Sequence, residues 1–465
     1  MYDYDLIVIG SGPAGHSAAI QAAKINKRVA LIEESESLGG NMVHSGTIPS
    51  KTLREAVLYL TGYREHNVYG DSYSVKKDIT MNDLLIRTDY VIQHEIDTLK
   101  YQLSRNHIDI ISAQASFISN NEISLNFKGD GTTRNITAEY FVIAVGTHPS
   151  KPANLDIDND LLFLNDDILN LPSLPKTLVI IGGGPIGLEY ASIFATLGVR
   201  VTLIDKSNAL LKFMDSEIVD ALKYEIRKKR ITLRLNEEVD NIQKHKEKDG
   251  NKIKIILSSG KQIISDKALY TIKRSGNIQN LNLKNAKVLF NKRGQIEVDS
   301  NYKSNIPNIY AAGDIIGFPS LASTSKEQGR LATCHAFNIK TNNYHKFYPY
   351  GIYTIPEISM VGSTEEELTE KGIPYEIGKS QYKEIARGQI IGDDTGILKL
   401  IFHIETRKLL GVHILGEGAS ELIHIGQSVL AFEGTIDYFI ETVFNYPTLA
   451  ECYKHAAFDG INKIS

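Results

Sequence analysis

The chain has 465 residues, enough for about three domains at ~150 residues each. Its 42% apolar and 23% charged residues are the balance of a globular protein, not of a disordered or fibrous one. With 51 Lys+Arg against 55 Asp+Glu the net charge is −4, which excludes the broad basic field that nucleic acid or an anionic membrane would need.

Apolar runs such as Leu6–Ile9 and Leu178–Ile181 are strand-sized, far short of the ~20 residues of a membrane span, so no membrane partner is expected. The opening MYDYDLIVIG lacks a basic n-region, and a cytoplasmic location is expected. Cys334 and Cys452 form no CxxC pair, so neither a disulfide framework nor a metal site is expected.

The first informative segment is Tyr4–Glu33. Asp5–Ile9 reads as a buried strand because its β-branched residues run without polar interruption. It feeds into Gly10-Ser-Gly12-Pro-Ala-Gly15, a helical stretch His16–Asn26, a second strand Arg28–Ile32, and Glu33. This order of strand, glycine turn, helix, strand and acid is the dinucleotide fingerprint in its confirming context. Gly10 allows the tight turn, Gly12 lets backbone approach a pyrophosphate, and Gly15 lets the helix pack close to the sheet. The helix N-terminus offers unpaired N–H groups to phosphate, and Glu33 is placed to accept from ribose hydroxyls.

Next comes Leu38-Gly-Gly40-Asn-Met42-Val-His-Ser-Gly-Thr47-Ile-Pro-Ser-Lys51. Further on, strand Tyr140–Ile143 leads to Ala144-Val-Gly146-Thr147, and Asp156–Asp167 is acidic and loop-like, read as a linker. Then the fingerprint recurs: strand Thr177–Ile181, Gly182-Gly-Gly184-Pro-Ile-Gly187, helix Leu188–Leu197, strand Arg200–Ile204 and Asp205. Asp205 stands 23 residues after Gly182, just as Glu33 stands 23 after Gly10. One such motif is weak; two full units with one spacing mean two bound dinucleotides.

Asp205 suits a 2′-hydroxyl. Against a 2′-phosphate at ~4 Å and an effective dielectric of ~20 it would repel by about 4 kcal/mol per unit charge. Lys206, and Lys212 in the following loop, could offset this, as could outward rotation of Asp205; the alternative for Lys206 is a solvated loop charge. NAD(H) is therefore expected to be preferred, with NADP(H) still used. Lys244–Lys254 reads as a solvated charged hairpin.

Ile309-Tyr-Ala-Ala-Gly-Asp314 looks like the second FAD motif of two-dinucleotide flavoproteins, where the aspartate holds the ribityl or phosphate end of the flavin. Its alternative is an ordinary strand-to-loop turn. From about Tyr348 the character changes to strands (Leu398–Phe402, Leu409–Leu415) and helices (Ala419–Phe432, Ile436–Val443) without a glycine fingerprint. His403, His413 and His424 lack ligand spacing and read as structural or surface residues. The last motif is Asn445-Tyr446-Pro-Thr-Leu-Ala-Glu451.

Leu38–Lys51 resembles the redox helix of the pyridine nucleotide–disulfide oxidoreductases, GGxCxxxxCIPSK, with Met42 and Thr47 at the two cysteine positions. Asn445–Glu451 resembles the family's HPTxxE element, with Tyr446 replacing the acid/base histidine. All three parts of the dithiol relay are thus absent while the flavin and nucleotide motifs are intact. GTIPSK, YASIF, GDIIGFPSLAS with EQGR, GIYTIPEIS, HIGQS and FNYPTLAE together are similar to the soluble, Si-specific pyridine nucleotide transhydrogenases, essentially end to end. That group usually keeps the first cysteine, here Met42, and a glycine where Lys273 stands.

The resemblance implies an α/β fold with two Rossmann-like domains, for FAD and NAD(P), and a C-terminal α+β dimerisation domain. The expected boundaries are 1–148 and 273–345 for the FAD-binding parts, 149–272 for NAD(P) and 346–465 for the interface. It also implies a homodimer whose C-terminal segment completes the partner's active site. Its site residues carry over as Lys51 near flavin N5, stabilising the reduced flavin, Glu189 pairing with it, and Thr47, Tyr446 and Glu451 at the reaction centre. Gly40, Gly146 and Asp314 join the first fingerprint around FAD. The alternative for Lys51 and Glu189 is a pair of solvated surface charges. The implied activity is hydride transfer between NAD(H) and NADP(H) through FAD. A diaphorase passing electrons to quinones or oxygen and a nucleotide-binding regulator without turnover are the other readings.

Overall fold

Strand Tyr4–Ile9 lies between Val29–Glu33 and the long strand Thr133–Ile143, parallel to both, and Asp109–Ser112 continues the sheet beyond Val29–Glu33. This computed structural model describes residues 1–464 apart from 71, 130, 151–159, 248–249, 273 and 342–346. The four residues Leu6–Ile9 are all buried, as expected where helices cover both faces of a parallel sheet. Helix Pro13–Ala23 opens on a proline in its first turn and packs on helix Ala322–Ala336. Their approach is close: a Cβ on Gly329 would sit 1.9 Å from the Ala14 carbonyl oxygen. The remaining parallel strand of this sheet, Ile309–Ala311, joins Thr133–Ile143 from far along the chain. The outer half of Thr133–Ile143 forms an antiparallel meander with Glu122–Asn126 and Gln114–Phe117.

A second parallel sheet repeats the pattern in the order Thr232–Leu235, Arg200–Asp205, Thr177–Ile181, Lys267–Tyr270, Leu162–Leu164. Helix Pro185–Thr196 follows its glycine turn, and helix Ser216–Lys228 is capped by the Asp215 carboxylate. A three-stranded antiparallel sheet, Val239–Glu247, Gly250–Leu257 and Gln262–Ser265, covers one face through Ile242, Ile253 and Ile255. The charged stretch Lys244–Lys254 falls on its first two strands, with residues 248–249 outside the described residues.

The second sheet is an insertion into the first unit. The chain leaves along Thr147–Pro149 and returns along Arg274–Gly276, and these two short strands pair antiparallel. The remaining unit is a five-stranded antiparallel sheet, Tyr350–Ile352, Ile358–Gly362, Leu409–Leu415, Ile397–His403 and Tyr375–Gln381 in spatial order. Helices Ala419–Ala431 and Glu451–Ile464 pack on it.

Three sequence expectations need adjustment. Residues 156–159 of the acidic linker lie outside the described residues, as does Lys273, but its second half is not loop: Leu162–Leu164 is a strand paired with Lys267–Tyr270. Its three apolar residues sit between acidic ones, and burial against the parallel sheet outweighs the local polarity. The helix expected over Ile436–Val443 narrows to Asp437–Glu441, because Thr442 is already extended. The segment Leu38–Lys51 is not one helix; Gly40–His44 and Thr47–Thr61 are separated at Ser45–Gly46.

Candidate active site

The two fingerprints build matching cradles. At the end of Val29–Glu33, the Ser11 N–H and hydroxyl donate to Glu33 Oε2 at 2.9 and 2.6 Å, and the Ser35 N–H donates to Oε1 at 2.9 Å. At the end of Arg200–Asp205, the Gly183 N–H donates to Asp205 Oδ2 at 2.6 Å and the Ser207 N–H to Oδ1 at 2.7 Å. Both carboxylates are therefore anchored by the glycine turn itself. The third glycine of each motif is enforced by packing. A Cβ on Gly15 would lie 1.8 Å from the Gly10 carbonyl oxygen, and one on Gly187 lies 1.9 Å from that of Gly182.

The second glycine behaves oppositely. A Cβ on Gly12 or Gly184 would meet no protein atom within 4 Å, and the same holds at Gly146. Packing does not demand glycine at these positions, although the positive φ of 64° at Gly146 does, so each leaves open space beside the backbone. Gly12 and Gly146 open onto a cavity of about 950 Å³ that also reaches Gly10, Glu33, Gly40, Thr47, Lys51 and Asp314. Glycine cradle, acid and buried polar wall together fit a bound dinucleotide.

On one side of this cavity stands an ion pair that draws on all three units. Lys51, on helix Thr47–Thr61, donates to both Glu189 oxygens at 2.8 and 2.7 Å. The side chains are 26% and 8% exposed, so they are not solvated surface charges. Glu189 sits on helix Pro185–Thr196 of the second unit, and its Oε1 also accepts the Tyr353 N–H at 2.9 Å from the third. The Lys51 ammonium lies 4.8 Å from the Tyr353 ring centroid. Behind it, buried Arg54 donates to the Thr354 carbonyl and pairs with Glu357, so the same helix is bolted to the third unit. Tyr350 also lines the cavity; burial pushes its phenol up to about 12, so it stays protonated at neutral pH.

Opposite, Asp314 follows strand Ile309–Ala311. Burial raises its carboxyl above the ordinary range, against the nearby Arg274 guanidinium and the Thr147 hydroxyl, which favour the anion. Arg274 donates to the Thr147 hydroxyl and carbonyl, both at 2.9 Å, and reaches Asp166 at 3.4 Å. Sequence reading missed Ser11, Thr147, Arg274 and Tyr353. Ser11 lies within the first glycine turn, Thr147 beside Gly146, Arg274 beside Lys273 and Tyr353 within GIYTIPEIS, but none of the four was given a role there.

Other expected residues are placed elsewhere. Met42 touches the cavity but is packed among Val43, Ile96 and Leu99, and Thr47 begins the Lys51 helix. Cys334 and Cys452 are both buried and unpaired, and neither is among the described lining residues; burial pushes the Cys452 thiol up to about 12. Lys206 is exposed at the rim of the second cradle. Tyr446 is 74% exposed, and neither it nor Glu451 lines the cavity of its own chain. His413 is buried and bonded to the Ser363 carbonyl, whereas His424 stands at the mouth of the cavity.

Among the described residues no helix is long and apolar enough to cross a membrane. A family model described as pyridine nucleotide-disulphide oxidoreductase matches residues 4–329, and the model of that family's dimerisation domain matches 348–457. A soluble pyridine nucleotide transhydrogenase of Mycobacterium bovis is 47% identical over 464 residues, covering 100% of this chain and 98% of its own. Another, of Marinobacter nauticus, is 42% identical over 469 residues, covering 100% and 99%. Among solved structures, the HOCl-induced flavoprotein disulfide reductase RclA of Escherichia coli superposes with a TM-score of 0.85 at 26% identity, covering 98% of this chain and 99% of that one. LpdA of Mycobacterium tuberculosis superposes at 0.89 with 23% identity, covering 97% and 99%, a likeness of fold alone.

Proposed function

The chain belongs to the pyridine nucleotide-disulphide oxidoreductase family, which uses FAD with NAD(P)H, and from that premise we propose a soluble transhydrogenase of the Si-specific kind. In this reading hydride passes between NAD(H) and NADP(H) with no thiol in the circuit. One observation carries it: the Lys51–Glu189 pair borders a cavity whose two motif thiol positions are Met42 and Thr47. Bound FAD would supply the two-electron carrier chemistry, taking hydride from one nicotinamide and returning it to another.

The chain's own residues bind, orient and set charge. Gly10, Gly12, Gly40, Gly146 and Glu33 would hold the FAD dinucleotide, and Asp314 its polyol, with Arg274 favouring the carboxylate against the burial that raises it. Gly182, Gly184 and Gly187 would seat the nicotinamide nucleotide, with Asp205 on its ribose. Lys51 holds a positive charge at the reacting end, and Glu189 fixes the direction of its ammonium through two hydrogen bonds. The dimerisation-domain match supports a homodimer, in which Tyr446 and Glu451 would close the partner's cavity, and a cytoplasmic setting suits such chemistry.

Two expected results follow. Mixing the yellow protein with NADPH and thio-NAD without oxygen should yield thio-NADH. Flavin bleaching without transfer would replace this reading with the diaphorase one, and no bleaching would leave a nucleotide-binding protein. Separately, the added Cβ in Gly187→Ala meets backbone at 1.9 Å and must displace the helix, at a cost of roughly 1–3 kcal/mol. That variant should stay yellow yet bind NADH poorly, whereas Gly15→Ala should purify colourless. Visible spectra and nucleotide titration separate them, and identical behaviour would remove the assignment of the two cradles.

A further inference from the structure

We propose that Lys399 is a positioning residue for hydride transfer: from the sheet of the interface unit it fixes the second nucleotide unit, and so sets how a nicotinamide meets the flavin. This inference rests on the transhydrogenase reading above. Lys399 stands on strand Ile397–His403 with its side chain 0% exposed. A charge so placed is retained only where partners surround it. Its ammonium donates to Asp215 Oδ1 and Oδ2, both at 3.0 Å, and to Glu365, and it lies 3.0 Å from Glu217 Oε2. Burial would lower its pKa, and the bonds to Glu365 and Asp215 outweigh that and hold it above the ordinary lysine value.

Asp215 and Glu217 belong to the second unit, and Lys399 and Glu365 to the interface unit, so the node crosses between them. Its rim repeats the crossing: Lys379 donates to Glu217 Oε1 at 2.7 Å, and the Ser216 N–H donates to Glu366 at 3.2 Å. The segment gripped is the one that leaves Asp205. Residues 207–215 begin at the Ser207 N–H that anchors the Asp205 carboxylate and end at Asp215 in the node. Two residues before Asp215, the Phe213 ring centroid lies 4.7 Å from that of Tyr350, a wall of the flavin cavity. The loop that follows the nucleotide-reading acid is thereby tied to the sheet that lines the flavin site. Transfer needs reacting atoms held about 3–3.5 Å apart, and an error of ~1 Å costs on the order of a hundredfold.

The test uses the purified flavin-loaded protein mixed rapidly with NADH. In Lys399→Met the limiting rate of flavin reduction should fall about 10- to 100-fold. The long-wavelength charge-transfer absorbance of the NADH complex should be lost, while NAD+ affinity stays within about twofold. Lys399→Arg should restore most of the rate. A purely structural role would lower the melting temperature and leave the limiting rate and the charge-transfer band unchanged, and that result overturns the proposal. Should Lys399→Met fail to retain flavin, Glu365→Gln removes one anion from the node itself and should slow the same step by about 3- to 10-fold. An unchanged rate there refutes the idea equally. If NADH does not reduce the wild-type flavin at all, the transhydrogenase reading fails instead.

Discussion

Replacing Asp205 with asparagine should raise kcat/KM for NADPH about a hundredfold relative to NADH, because the carboxylate repels a 2′-phosphate by several kcal/mol at ~4 Å. Outward rotation would have relieved that repulsion, but it would break both the Gly183 and Ser207 hydrogen bonds, at 2.6 and 2.7 Å. Lys206 is exposed, and no ion pair between Asp205 and a lysine occurs among the described residues, so the charge stays uncompensated by side chains. Steady-state kinetics with both reduced nucleotides measure the effect. Wild-type protein should favour NADH while still turning over NADPH, as a transhydrogenase must. A wild-type preference for NADPH, or an asparagine variant with an unaltered ratio, would remove Asp205 as the discriminating group.

The second large effect concerns Lys51. In Lys51→Met the limiting rate of flavin reduction by NADH should fall on the order of a hundredfold, the usual loss when a preorganised charge or donor is removed from a reaction centre. FAD should remain bound, since the glycine cradle, Glu33 and Asp314 are untouched. Removing one partner of a mostly buried ion pair also strands the other, and Glu189 would keep only the Tyr353 N–H. The double variant Lys51→Met/Glu189→Gln separates these effects: it should recover thermal stability but not the rate. Rapid-mixing absorbance at the flavin band reads both variants. Reduction at the wild-type rate in Lys51→Met would take the lysine out of the mechanism.

Both nucleotide units were legible in the sequence because each is local. An apolar run, a glycine turn, a helix and a terminal acid lie within about thirty residues and report their own backbone needs. Contacts that join distant segments were not legible from spacing. Lys51 meets Glu189 across 138 positions and Arg54 meets Thr354 across 300, and only the family resemblance pointed to the first of these. Leu162–Leu164 was hidden by its acidic flanks, since its pairing with Lys267–Tyr270 is what makes it a strand. Lys399 was invisible for a related reason. A lysine within the run Leu398–Phe402 reads as the solvent face of a strand until the carboxylates that bury it are in view.

The ribbon of Thr147–Pro149 with Arg274–Gly276 has a consequence for biosynthesis. As the polypeptide leaves the ribosome, the first nucleotide sheet stays one strand short until Ile309–Ala311 emerges, whereas the inserted sheet already has all five of its strands by Tyr270. The later half of the chain therefore finishes a pocket that the earlier half begins. Asp314 follows shortly after that completing strand, so the cavity of the first unit gains this carboxyl-bearing wall only after the intervening unit has been made.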